Sequence, residues 1–164
     1  AIRAIAYLRN KLSPKQKFRL VVVGADDPTK YKTLAKKLGI LSYVIFTHGM
    51  RDATLTIASS DVLLHPARSE NTGTVIVEAL ALGTPVICTE SCGFSHYVNE
   101  WSAGIVLSPN EQNNIQNDLN EACFIISNNK IRIDYKHGAQ NYSKNRTKSQ
   151  MSIDAVDWLE QYIN

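Results

Sequence analysis

Apolar residues in this chain fall into short blocks separated by polar, helix-like stretches. Phe18-Arg-Leu-Val-Val-Val-Gly24 reads as a buried strand closed by glycine. Tyr43 to Thr47, ending at His48-Gly49, reads as a second strand, and Asp61 to His65 as a third. Thr84 to Thr89 and Gly104 to Leu107 supply a fourth and a fifth. Between them, Pro28 to Leu38 has a helical pattern with a lysine-rich outer face and Gly39 as its stop signal. Asp52 to Ser60 predicts a shorter helix, and Glu70 opens another that closes at Gly83. From Glu111 onward the pattern predicts helices near 111–127, 130–143 and 149–163. Short strands alternating with helices of about ten residues imply βαβ units and a parallel sheet. Such sheets are covered on both faces, which explains Val/Ile runs without alternation. Thr74 to Val77 also suits a strand, since β-branched residues disfavour helix. Glu78-Ala-Leu-Ala-Leu82 propagates helix well, however, and Asn71 or Thr72 can cap it, so helix is preferred. With no internal repeat or linker, residues 1–164 predict one α/β domain, a Rossmann-like parallel sheet flanked by helices, with 149–164 as a C-terminal helix.

Composition narrows the class. At 164 residues the chain can bury one real core, and 44% apolar with 20% charged residues excludes a disordered chain. A net charge of +3 is mildly basic, compatible with phosphate-bearing ligands or an anionic membrane surface, but it is no nucleic-acid signature. The longest apolar runs are too short to span a bilayer. The amphipathic opening Ala1 to Leu8 is unlike a signal peptide and begins in mid-helix, so a piece of a longer, cytoplasmic protein is expected. Cys88, Cys92 and Cys123 have no paired-ligand spacing, so reduced thiols are expected and a metal site is not.

The chemistry concentrates in Glu70-Asn-Thr-Gly-Thr-Val-Ile-Val-Glu78. A glutamate inside the otherwise apolar run Val75 to Leu82 needs a protein partner or a ligand, because an unsolvated charge is costly. In a doubly wound sheet, ligands bind beyond the carboxyl ends of the strands, beside helix N-termini. That rule gathers Gly24-Ala-Asp26, His48-Gly-Met-Arg51, Pro66 to Gly73, Glu90 to Gly93 and Ser108 into one candidate rim. A helix starting near Thr72 offers free amides and a positive dipole end to a phosphate. Gly73 lets a ligand approach the backbone closely. Two hydroxyl-accepting carboxylates flanking such an anion site suit a sugar–diphosphate–ribose ligand.

These residues bring a family into view. The chain resembles the C-terminal, nucleotide-sugar-binding half of retaining GT-B glycosyltransferases, whose mark is Glu-x7-Glu, here Glu70 and Glu78. The frame fits in order: Val-Val-Gly24, Val-Ile-Phe-Thr-His-Gly49, Ser60-Asp-Val-Leu-Leu-His-Pro66, Glu78-Ala-Leu-Ala-Leu-Gly-Thr-Pro-Val86, Cys92-Gly93 and Gly104-Ile-Val106. It covers roughly residues 1 to 145. Leu-Leu-His-Pro-Ala67 and Cys92-Gly-Phe-Ser-His-Tyr-Val98 look closest to the glucosyltransferases of the bacterial lipopolysaccharide core.

The resemblance implies roles residue by residue. Glu70, the implied catalytic residue, would lie beside the donor sugar, though not as a nucleophile. The amides of Asn71, Thr72, Gly73 and Thr74 would bind sugar and diphosphate, Glu78 the ribose hydroxyls, and Met50 and Arg51 would pack around the base. Gly24 belongs to the same donor-binding set. The implied reaction is retaining hexosyl transfer from a UDP-hexose, with UDP-glucose expected, to a lipopolysaccharide or other glycan acceptor. It needs no metal or other cofactor. The family's N-terminal acceptor domain, first strand and diphosphate-binding Arg and Lys would precede Ala1. The isolated chain is therefore expected to bind UDP-sugar weakly and transfer nothing, and its sheet to show a gap or a re-pairing. Contact with the cytoplasmic face of the inner membrane is open to the full enzyme.

Blander readings stand beside these. Glu70 also fits a solvated loop carboxylate, and Glu78 a salt bridge to Arg51, Arg68 or a lysine. His65 before Pro66 is more commonly structural than catalytic. Asp26 and Asp27 most simply cap the helix beginning at Pro28, and the Lys30/Lys32/Lys36/Lys37 face is simplest as a solvated surface. Trp158 and Tyr162 read as a packing stripe. A GT-B sugar-nucleotide epimerase and a non-catalytic nucleotide-binding module remain the alternative functions.

Overall fold

The computed structural model describes residues 1–12, 17–47, 49, 52–108 and 115–145, with backbone alone for 115–119. The predicted 149–163 helix and the Met50-Arg51 turn lie outside the described residues. Along the chain run α1 (Ile2–Lys11), β1 (Leu20–Val23), α2 (Thr29–Lys37), a 3-10 turn at Leu41–Tyr43, β2 (Val44–Thr47) and α3 (Thr54–Ala58). They are followed by β3 (Leu63–His65), α4 (Thr74–Ala81), β4 (Val86–Thr89), α5 (Ser95–Glu100), β5 (Gly104–Leu107), α6 (Ile115–Ser127) and α7 (Asn129–Asn145). Each predicted strand forms: the first four are trimmed by one or two residues at one or both ends, and β5 keeps its predicted bounds. The predicted glycine stops Gly39 and Gly83 follow α2 and α4.

All strand pairs are parallel, but they form two ladders. β1 pairs with β2, while β3, β4 and β5 pair in that order. A parallel sheet with either a gap or a re-pairing was the expectation. Among the described residues no ladder joins β1 to β3, so the gap forms and the strands do not re-pair across it.

Burial follows this division. β4, paired on both edges, is buried throughout. In β1 only alternate residues are covered, and Val21 and Val23 stand exposed, which corrects the reading of β1 as a strand buried on both faces. The reason is positional, because the edge of β1 away from β2 has no neighbour.

Three apolar clusters hold the elements together. Ile76, Leu80, Val86, Phe94, Val98 and Tyr142 join α4, β4, α5 and α7. Ile2, Ile5, Leu8, Ala35, Ile40 and Val44 join α1 and α2 to β2, with Cys123 of α6. Ile87, Leu107, Ala122 and Ile125 seat α6 on β4 and β5. Helix α6 therefore touches both ladders. Among the described residues no helix is long and apolar enough to cross a membrane.

Candidate functional site

Helix α4 is amphipathic in a way its sequence obscures. Ile76, Val77 and Leu80 are buried, while Thr74 and Glu78, one turn apart, are both exposed. Glu78 therefore does not sit in an apolar interior, and its charge keeps its water. Among the described residues no ion pair or hydrogen bond engages the Glu78 side chain, so the salt bridge considered to Arg68 does not form. Arg51, one suggested partner, lies outside them.

The start of α4 differs from expectation as well. The cap is Gly73, not Asn71 or Thr72, with φ +70° and ψ +46°. That left-handed conformation is one a side chain adopts at a cost. No side chain bonds the first turn, whose leading amides at Thr74 and Val75 carry the positive end of the helix dipole. An added Cβ at Gly73 would come within 3.3 Å of both Cys92 Cβ and Ile76 Cδ1. The tight packing at Gly73 brings the turn after β4 against the start of α4.

That turn also holds the loop bearing Glu70. Thr89 Oγ1 and Ser91 Oγ both donate to the Ala67 carbonyl, at 2.5 Å and 2.8 Å, and lie 3.0 Å from one another. Phe94 N–H donates to the Thr72 carbonyl at 3.0 Å. Both ends of the loop, at Ala67 and at Thr72, are thus anchored to the β4–α5 segment. Ser91 falls in the predicted rim Glu90 to Gly93, whereas Thr89 was not singled out for the site. The signal of Thr89 was only a hydroxyl at a strand end, which is too common to be informative in sequence.

Within the anchored loop, Glu70 Oε1 accepts from Asn71 N–H at 3.1 Å and Oε2 lies 3.6 Å from His65 Nε2. His65 ends β3, and its Nε2 is buried without a hydrogen-bond partner among the described residues. Farther along the rim, Ser108 Oγ donates to Glu90. Gly24 ends β1 in open surroundings, whereas a Cβ at Gly49 would lie 2.8 Å from Ala25 Cβ. Close approach of the β1 and β2 loops is the demand made by Gly49.

Elsewhere, Asp27 caps α2 by accepting from Thr29 Oγ1 at 2.6 Å and Thr29 N–H at 3.0 Å. Those two bonds hold its carboxyl below the usual range. Asp52 does the same for α3 through Thr54, with the same effect. The three thiols are buried and unbonded to one another, and burial pushes Cys88 up to about 12. Among the described residues no His, Cys, Asp and Glu group has a metal-binding arrangement.

The structure thus brings Glu70, Asn71, Thr72, Gly73, Thr74 and Glu78 together at one helix start beyond the strand ends. The class is that of an α/β protein whose uncapped helix-start amides, beyond the ends of parallel strands, stand beside two exposed carboxylates. The sequence profile of "Glycosyl transferases group 1" matches residues 1–141, and the chain belongs to that family. It is 34% identical over 158 residues to lipopolysaccharide glucosyltransferase WaaG of Escherichia coli (strain K12), an alignment covering 96% of this chain and 41% of that protein. The crystal structure of WaaG superposes with a TM-score of 0.82 at 32% identity, over 95% of this chain and 41% of that one. Anabaena HepE in complex with UDP-glucose superposes with a TM-score of 0.71, over 98% of this chain and 44% of that one. At 21% identity that last likeness shows the fold alone. The chain spans about two-fifths of the length of the WaaG it matches.

Proposed function

We propose that this chain is the donor-binding half of a retaining glycosyltransferase that uses a UDP-hexose, most simply UDP-glucose, and passes the sugar to a lipopolysaccharide or related glycan acceptor. The observation that carries the reading is the arrangement about α4. Glu70 stands before uncapped amides, and Glu78, one turn beyond Thr74, stands exposed with no side-chain partner among the described residues. Glu70 accepts hydrogen bonds from hexose hydroxyls, the amides of Thr74 and Val75 face the diphosphate, and Glu78 takes the ribose hydroxyls. Electrostatic stabilisation of the departing diphosphate comes from oriented donors, with no metal. WaaG is named as a glucosyltransferase, and HepE has been crystallised with UDP-glucose, which supports the choice of donor.

Acceptor recognition is assigned to a second unit working with this one, at a cytoplasmic site, and the 164-residue chain by itself binds donor weakly without transferring it. Calorimetric titration with UDP, UDP-glucose and UDP-GlcNAc tests the proposal. Binding of UDP-glucose that is tighter than that of UDP and lost with Glu70 and Glu78 changed to alanine is expected. Equal behaviour of wild type and double variant would overturn the site, and measurable glucosyl transfer by this chain would overturn the division of labour.

A further inference from the structure

His65 stands where β3 hands over to the loop bearing Glu70. Its backbone pairs with Cys88 of β4, its carbonyl accepts from Ala67 N–H at 3.0 Å, and Pro66 holds it extended. Glu70 follows in a loop that Thr89 and Ser91 anchor at Ala67 and that Phe94 N–H anchors at Thr72. The His65 side chain is 26% exposed, yet its Nε2 is sealed from solvent and has no hydrogen-bond partner among the described residues. The ring therefore meets water by its other edge and turns Nε2 inward, toward Glu70 Oε2 at 3.6 Å.

Of the two neutral tautomers, one sets a bare nitrogen lone pair against a carboxylate oxygen, two acceptors face to face. The other sets an N–H there, and that is the form the carboxylate favours. At 3.6 Å this N–H falls short of a hydrogen bond by about half an ångström. A buried donor without an acceptor is unfavourable, so the pair stands close to a bond that the distance leaves unmade. The Glu70 side chain is 36% exposed, and water competes for Oε2. A ligand that covers Oε2 removes this competition, and hydrogen bonds strengthen as water leaves. An ionised carboxylate has room for about four donors, of which Asn71 N–H supplies one, on Oε1.

We infer that His65 is a positioning residue for recognition of the donor sugar, an inference that rests on the proposed placement of the hexose at Glu70. When the sugar covers Oε2, His65 Nε2–H donates to that oxygen from its buried side, while a hexose hydroxyl donates from the open side. Two donors on Oε2 and one on Oε1 fix the plane of the carboxylate, which a single donor leaves free to rotate. His65 acts only through Glu70, since Nε2 is sealed from any ligand in the site. Its contribution is therefore to the hexose and not to UDP.

The test compares His65→Leu with His65→Gln, whose side-chain amide carries an N–H to the reach of Nε2, in calorimetric titrations with UDP and UDP-glucose. For His65→Leu, affinity for UDP-glucose is expected to fall roughly tenfold, the contribution of one hydrogen bond to a charged acceptor, with UDP binding unchanged. His65→Gln should recover most of that loss. In a Glu70→Ala background, His65→Leu should add nothing. Urea unfolding should find His65→Leu no less stable than wild type, because an apolar group replaces an unpaired polar one. A purely structural His65 would instead lower stability and weaken both ligands, without rescue by glutamine, and that pattern overturns the inference. So does a full loss that persists without Glu70, or unchanged UDP-glucose binding by His65→Leu. Failure of the wild-type chain to prefer UDP-glucose over UDP would overturn the donor reading itself, and the role of His65 with it.

Discussion

His65 Nε2 lies 3.6 Å from Glu70 Oε2, joining the end of β3 to the loop that precedes α4. The two side chains touch without a hydrogen bond between them, while Asn71 N–H donates to the other carboxylate oxygen. In the proposed donor site, Oε2 is the oxygen left to accept from a sugar hydroxyl.

Glu70→Ala is accordingly expected to weaken UDP-glucose binding roughly tenfold or more, the loss of one or two hydrogen bonds to a charged acceptor. UDP, which lacks the hexose, should bind the variant as it binds wild type. Parallel calorimetric titrations check this, and an equal loss for both ligands would place Glu70 at the nucleotide instead.

Glu78 gives the complementary pattern. It is exposed and unpartnered among the described residues, so Glu78→Ala should leave folding stability within about 0.5 kcal/mol of wild type in urea. Affinity for UDP should fall about ten- to a hundredfold, because two ribose hydroxyls lose a charged acceptor. A large stability loss would mean that the residue is structural.

Much of this was legible in the chain. Val/Ile blocks between glycine-ended helices announced the parallel α/β layers, and the carboxylate pair about Gly73 picked out the start of α4 as the candidate site. What sequence could not give was the solvation of Glu78. The flanking Val77 and Ala79 are apolar, but only the register of α4 decides that Glu78 shares its exposed face with Thr74. The cap was misplaced at Asn71 or Thr72 for a related reason. Side-chain caps follow composition, whereas a left-handed Gly73 follows from packing against Cys92, a contact distant in sequence. The break between β1 and β3 is a tertiary pairing, and strand patterns alone do not report pairing.

Thr89 offers a test of loop anchoring. Its hydroxyl is buried and bonded to the Ala67 carbonyl at 2.5 Å. Thr89→Val keeps the shape and leaves that carbonyl with Ser91 alone, so a loss of about 1–2 kcal/mol in urea unfolding is expected. Thr89→Ser should recover most of it. Equal losses in both variants would show that packing of the methyl group, not the hydrogen bond, is what matters.

Gly73→Ala combines two penalties: a left-handed backbone and a Cβ 3.3 Å from Cys92 Cβ. An unfavourable change of about 1–3 kcal/mol is expected. Donor affinity should fall as well, since the amides of the first turn move with the cap. A Tm equal to wild type would show that the turn before α4 relaxes freely.

Cys88, together with Cys123, whose thiol burial pushes up to about 11, weakens the fold at alkaline pH. Cys88 is fully buried in β4, the middle strand of the three-stranded ladder, and burial, reinforced by Cys92 nearby, pushes its thiol up to about 12. An unfolded cysteine ionises near 8.5. Between those values the folded chain holds a proton that the unfolded chain has released, so stability falls as pH rises. The slope from this one group approaches about 1.4 kcal/mol per pH unit. Urea titrations from pH 8 to 10.5 should show the decline, and Cys88→Ala, although less stable overall, should show a shallower one. In the same range, iodoacetamide should alkylate Cys88 only as fast as the chain unfolds. Rapid alkylation of the native chain at pH 8, or identical slopes in the two proteins, would mean that Cys88 is not sealed from water.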